Sequence, residues 1–180
     1  MQTAHEFFVH ELNQMLDVEQ RLVEALGELE AQSSRPELKK AFAAHRQQTE
    51  KHEERVRQIF EELEETPEQT ECKGIKGLIE EARAFMEETP SEDLLDVFNI
   101  GAASKSESYE ICAYKSLIQL ATDMGHRKAL QLLKQNLREE EQTLKKMETF
   151  SKKIKPERSG MAEEEPERPT GRRTRRSRAA

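Results

Sequence analysis

The sequence predicts an all-α fold: a bundle of four long helices, one short extra helix in the middle connection, and a disordered tail. Three observations predict it. Apolar residues recur every three or four positions over four stretches of roughly 28–35 residues, the period of a helix with one buried face. Charged residues make up 36% of the 180-residue chain and hydrophobic ones 34%, a balance that suits amphipathic helices and is poor for a two-layer α/β domain. Gly and Pro are scarce, and the prolines fall between the stripes or beyond the last one.

The first helix is expected over residues 3–31, with Phe8, Leu12, Met15, Leu16, Leu22, Leu26 and Leu29 in line. Ser33-Ser34-Arg35-Pro36-Glu37 reads as a break and a restart. Ser34 and Glu37 have capping-box spacing, and Pro36 sits in the first turn, where its missing N–H costs little. The second helix, 36–65, carries Leu38, Phe42, His45, Thr49, His52, Val56, Ile59 and Leu63, and Thr66-Pro67 ends it. A shorter helix over 72–88 carries Ile75, Leu78, Ile79, Ala82, Phe85 and Met86. Thr89 and Glu92 repeat the capping spacing at the start of the fourth helix, which runs to Met124 with Gly125 as its left-handed terminator. The fifth, 126–154, aligns Leu130, Leu133, Leu137, Glu140, Leu144 and Met147 before Pro156 stops it. Residues 1–155 therefore read as one helical unit.

Residues 156–180 hold three prolines, the run Glu163-Glu164-Glu165 and then Arg172, Arg173, Arg175, Arg176 and Arg178, with almost nothing to bury. They read as a disordered tail. The net charge is −7, so the body is acidic and the tip basic. Five arginines predict, at most, weak, salt-sensitive, sequence-blind contact with nucleic acid. A solubilising tail that folds back on the acidic body is the plainer reading. No apolar run approaches the roughly 18 residues needed to span a bilayer. Met1 to His10 lacks a signal-peptide pattern, and two cysteines make no disulfide framework, so the expected compartment is the cytoplasm.

The stripes are interrupted near their middles by polar residues of one kind. Glu19 lies in the first, His45 and His52 in the second, Glu107 and Glu110 in the fourth, and Glu140 in the fifth. Positions i and i+3 share a helical face, so Glu107 and Glu110 point into the same core. A buried carboxylate is costly unless it is paired, protonated or bound to a metal. In an antiparallel bundle the mid-helix positions meet at mid-height, which brings these groups together. Carboxylates with some imidazole suit iron or manganese, and two-metal sites use bridging carboxylates between ions about 3.5–4 Å apart. Each residue also has a plain structural reading. Glu19 could reach solvent at the stripe boundary, and His45 and His52 could be hydrogen-bonded core histidines. Glu107 and Glu110 could pair with Lys105 or Lys115. Glu140 stands in the charge run Arg138-Glu139-Glu140-Glu141. Tyr114, four after Glu110, reads chiefly as core packing, with a hydrogen bond to a ligand as the alternative, and Glu81 is a weaker candidate. The expected metal-site residues are Glu19, His52, Glu107, Glu110 and Glu140.

Several stretches together resemble the YciE/YciF family of bacterial ferritin-like proteins. They are Val18-Glu19-Gln20-Arg21-Leu22, Ala41 to His45, Gly77 to Ala82, Tyr109 to Tyr114, and Leu132-Leu133 through Glu140. The resemblance implies a ferritin-like, rubrerythrin-like four-helix bundle, stress-associated expression, and ferroxidase-type oxidation of Fe(II) by oxygen or peroxide. It implies Glu19, Glu107, Glu110 and Glu140 as ligands of one or two ions, iron or else manganese. The second helix departs from the family pattern. Gln48 stands where Glu is common, and no Glu-x-x-His occurs in the chain, which implies a one-metal or weakened site. Against the enzyme stands a metal-free structural or stress-protection bundle acting by self-association. A homodimer is expected on either reading.

Overall fold

The computed structural model describes residues 1–156; the expected disordered tail and its arginine run lie outside them, apart from Pro156. Five helices follow one another: α1 (Ala4–Gln32), α2 (Pro36–Glu62), α3 (Lys73–Glu87), α4 (Glu92–Asp123) and α5 (Arg127–Lys153). No strand occurs among the described residues. The protein is all-α, as its apolar periodicity predicts.

The helix ends show where local sequence rules hold and where tertiary contacts override them. Thr3 and Glu6 form a reciprocal capping box at the start of α1. Gly125, at φ 75°, closes α4, with His126 N–H donating to the Ala121 carbonyl at 2.9 Å, the predicted left-handed stop. The expected Ser34 box does not form. Ser34 donates both its N–H (2.8 Å) and its hydroxyl (2.6 Å) to Asp96, 62 residues away, and Arg35 stands at the N-cap of α2. Nor does Thr89 cap α4; Thr89 adopts φ 50° in the preceding turn, and Ser91 takes the N-cap without a side-chain bond. Glu92 and Asp93 supply first-turn negative charge there instead. Helix α2 stops about three residues early because Glu64 turns left-handed at φ 56°.

Pairs of residues at the helix ends fix the directions. Lys128, at the start of α5, pairs with Glu62 at the end of α2 at 2.6 Å. Arg35, beside the start of α2, holds Asp93 and Asp96 near the start of α4 at 2.6 and 2.8 Å. His126 stacks on Phe8, joining the starts of α5 and α1. So α2 and α4 run parallel on one diagonal of the bundle, α1 and α5 on the other, and every neighbouring pair is antiparallel. The chain must then return the full length of α2, about 40 Å at 1.5 Å per residue, before α4 begins. Helix α3 makes part of that return, lying across α1 and α4. Its start is held by Asp17, whose carboxylate accepts the Cys72 N–H at 2.7 Å. Gly74 lets the Tyr109 ring approach so closely that a Cβ would sit 2.7 Å from it. The Tyr109 hydroxyl meets the Cys72 thiol at 3.0 Å, and both cysteines are free.

Asp96 is fully buried, and its hydrogen bonds from Ser34 and Arg35 outweigh burial and hold its carboxyl below the usual range. Removing it leaves the Arg35 and Ser34 donors unmatched. Asp96→Ala is expected to cost about 3 kcal/mol, the scale of a broken buried pair, read as a lower urea midpoint at pH 7. The depressed pKa means Asp96 stabilises the fold above its unfolded pKa, and that contribution fades as pH falls, so the difference between variant and wild type shrinks in acid.

The interior is layered. One apolar cluster gathers Phe8, Leu12, Ile59, Tyr114, Leu117 and Leu133, and a second gathers Leu26, Leu38, Phe42, Ile100 and Met147. Between them, at mid-height, lies a polar band contributed by all four long helices.

Candidate metal centre

Each helix delivers its polar residue to this band because hydrophobic burial on either side fixes its rotation. On α2, Phe42 and Val56 are buried above and below His45, Thr49 and His52; on α4, Ala103 and Tyr114 bracket Glu107 and Glu110. Glu19, His52, Glu107 and Glu140 have no solvent exposure, and Glu110 and His45 almost none. All five residues expected from the sequence therefore lie in the core, joined by His45. Lys105 and Lys115, the alternative partners for Glu107 and Glu110, pair with Glu81 and Glu141 at the surface instead. That contact also accounts for the exposed Glu81. Gln48 is half-buried on α2.

The donors form two groups. Glu19, His52 and Glu140 each place one ligand atom within 4.8 Å of the others, and so do His45, Glu107 and Glu140. Glu140 belongs to both. His52 Nδ1 lies 2.6 Å from Glu140 Oε1 and 3.9 Å from Glu19 Oε2, and His45 Nε2 lies 2.7 Å from Glu107 Oε1. Yet Glu140 Oε1, Glu107 Oε1 and His52 Nδ1 lack hydrogen-bond partners of acceptable geometry, as do Glu19 Oε2, Glu110 Oε2, Glu107 Oε2 and Glu140 Oε2. Buried polar atoms are almost always satisfied. Here the atoms of Glu19, His52, Glu107 and Glu140 converge in the core without well-formed hydrogen bonds, an arrangement that a cation would satisfy, while Glu110 belongs to neither group. The donors are oxygen and imidazole nitrogen with no thiolate, a set that fits iron or manganese.

Without ions the electrostatics are adverse. Burial raises Glu19 to about 8, with Glu140 adding to it against the pull of His52. Burial and the Glu140 charge push Glu107 and Glu110 well above the usual carboxylate range. The histidines diverge. Burial lowers His45 to about 4, whereas for His52 the carboxylates of Glu140, Glu19 and Glu139 overcome burial and raise it to about 9.

A second layer orients the His52 group. His52 Nε2 donates to Glu139 Oε2 at 2.9 Å. Glu139 is ionised and can only accept: Arg55, His52 and Gln135 hold it down to about 2 against burial. The Nε2 proton is thereby fixed and Nδ1 is turned toward Glu19 and Glu140, as a metal-ligating histidine would be held. Arg55 also donates to Asn136 Oδ1 at 2.8 Å, and Asn136 donates to the Tyr114 hydroxyl at 2.8 Å. Tyr114 in turn donates to Glu19 Oε1. His45 has no such support, since its Nδ1 is buried without a partner.

Two comparisons decide the family. Residues 3–159 match the family described as "Domain of unknown function (DUF892)". The chain is 38% identical to protein YciF of Escherichia coli (strain K12) over 144 residues, 79% of this chain and 87% of that protein. The chain belongs to the YciF (DUF892) family. Structural similarity within the YciF family agrees. The crystal structure of the E. coli stress protein YciF superimposes with a TM-score of 0.82 at 36% identity, covering 86% of this chain and 98% of that one. YcfI from Rhodopseudomonas palustris gives 0.80 at 32% identity, over 83% and 95%. A Xanthomonas campestris protein, at 17% identity and 0.69, shares the fold.

His45, which the sequence offered beside His52 but which is not among the five expected residues, and Glu139 are what the structure adds. A lone histidine on an apolar stripe is commonly a core residue, and Glu139 sits in a charge run. One signal was available for the second layer: Asn136, a polar residue four before Glu140 on the same face.

Proposed function

We propose that the bundle binds two divalent transition-metal ions, iron or manganese, in adjacent groups bridged by Glu140, and oxidises Fe(II) with dioxygen or peroxide. The observation that carries this reading is the membership of Glu140 in both three-residue groups. Once deprotonated, Glu19, Glu107 and Glu140 of the two groups, with Glu110 beside them, would carry four negative charges, which two divalent ions would balance. Neither group needs Gln48, so its lack of charge does not forbid two ions.

The chemistry suits the surroundings. Fe(II) is the reductant: two of them give one electron each either to dioxygen, which takes up two protons and leaves as hydrogen peroxide, or to hydrogen peroxide, which takes up two protons and leaves as two waters. The chain's own residues hold and release protons around this step. Glu107 and Glu110 keep protons in the ion-free protein and lose them when cations arrive. Glu139 and Arg55 keep the His52 ring turned to the centre. The apolar clusters on both sides exclude bulk water. The stress association carried by the name of the E. coli relative extends to this chain under the same proposal.

Anaerobic Fe(II) loading followed by desalting and elemental analysis tests the reading. Two ions per chain are expected, with new near-ultraviolet absorbance once air is admitted. Iron near zero sinks the proposal and leaves a structural bundle; a single ion per chain removes the Glu140 bridge.

A further inference from the structure

Helices α1, α3 and α4 enclose a narrow cleft of about 40 Å³ that ends on a residue of the metal centre. Its floor is His45, whose side chain is only 4% exposed and whose Nδ1 has no partner. Its walls include Leu22 and Leu26 from α1, Ile79 and Ala82 from α3, and Ala103 from α4. At its mouth Arg83 of α3 grips Glu28 of α1 through two hydrogen bonds, at 2.7 and 3.1 Å. Helix α3 thus roofs a passage toward His45.

The size and chemistry of the cleft limit what it admits. A cavity needs roughly 10–15 Å³ to hold one water, so about 40 Å³ has room for a guest of two or three atoms, and most of the lining is apolar. A hydrated Fe(II) would have to shed its waters against leucine and alanine, which is prohibitive. Hydrogen peroxide would lose most of its hydrogen bonds over the apolar stretch of the lining, where Gln32 and Ser106 are the polar side chains besides His45 and the Arg83–Glu28 pair. A neutral apolar diatomic loses nothing comparable. The small side chain of Ala82 keeps the passage open where α3 crosses it.

We propose that this cleft is the dioxygen-binding and entry site of the protein, delivering the gas to the His45 side of the centre while cations enter elsewhere. The proposal rests on the two-metal reading for the use made of the gas, but the cleft can be tested without metal. Crystals of the metal-free full chain pressurised with xenon should show a xenon atom beside His45, absent in Ala82→Leu. In iron-loaded protein, Ala82→Leu should raise the KM for dioxygen at least tenfold, with iron stoichiometry and the peroxide-driven rate unchanged. Ala25→Val narrows the same cleft from α1 and serves if Ala82→Leu fails to fold. Wild type that binds iron but no xenon overturns the cleft alone. Wild type that binds xenon but no iron overturns the two-metal reading, and dioxygen as occupant with it. Equal losses of the dioxygen and peroxide rates in a folded variant also overturn the assignment.

Discussion

Glu140→Gln is expected to abolish uptake of both ions, where Glu19→Ala removes one. Glu140 is the residue common to both groups, so its loss leaves Glu19 with His52 on one side and His45 with Glu107 on the other. Glutamine keeps the volume and removes the charge and one strong donor oxygen, so packing is spared. Glu139→Gln should act more mildly. Among the candidate ligands it touches only the His52 ring, and partners of this kind are worth about 10–100-fold in metal affinity. The ranking can be read by elemental analysis and by metal-induced stabilisation. An ion at a hundred times its Kd adds about 2.7 kcal/mol to the folded state. Wild type should gain this for each site and Glu140→Gln should gain none. A Glu140→Gln protein that still holds two ions would show that the bridge is not Glu140.

That the buried polar band was legible in the sequence has a physical basis. A carboxylate within an apolar stripe is costly to bury, and although Glu19, Glu107, Glu110 and Glu140 each had a plain structural reading, four stripes interrupted at similar depth pointed to one polar band. Their convergence followed from bundle geometry, because residues at the middle of antiparallel helices share one level. His45 was ambiguous, since burial alone makes an acceptable home for a neutral imidazole. Glu139 was invisible, because its importance depends on Arg55, 84 residues away, and on the ring of His52.

The fold shows the same division. The stripes predicted five helices, their order and the left-handed stop at Gly125, all of them consequences of local spacing. The capping box at Ser34 failed for a non-local reason. Asp96 competes for the same hydroxyl and offers a buried, charge-assisted bond that a first-turn backbone N–H does not match. The left-handed residues Glu64 and Thr89 were equally hidden, because neither is a residue that favours that conformation. Both flank the long return of the chain between α2 and α4, where topology rather than propensity fixes the turns.

Stripped of metal, the protein is expected to lose stability as pH rises from 6.5 to 8, the reverse of its behaviour when loaded. Glu19 has a native pKa near 8 against an unfolded value of 4.5, and Glu107 and Glu110 are also raised. A raised carboxyl means that the native state keeps a proton the unfolded chain has shed. Its contribution is complete below the unfolded value and is lost as pH climbs through the native one. His52, raised from 6.5 to about 9, acts in the same direction over this window. His45, lowered to about 4, is neutral in both states above its unfolded value of 6.5 and adds little slope there. Glu139 and Asp96 are ionised in both states throughout. Each retained proton contributes about 1.4 kcal/mol per pH unit, so even one amounts to about 2 kcal/mol across the window. Urea unfolding in the presence of a chelator should show at least that decrease. With iron bound anaerobically, the cations replace the protons, binding strengthens as protons become scarce, and the decrease should vanish or invert. Chelated protein whose stability is level or rises from pH 6.5 to 8 would show that these carboxyls are not held protonated in the core, and that the polar band is more hydrated than its burial implies.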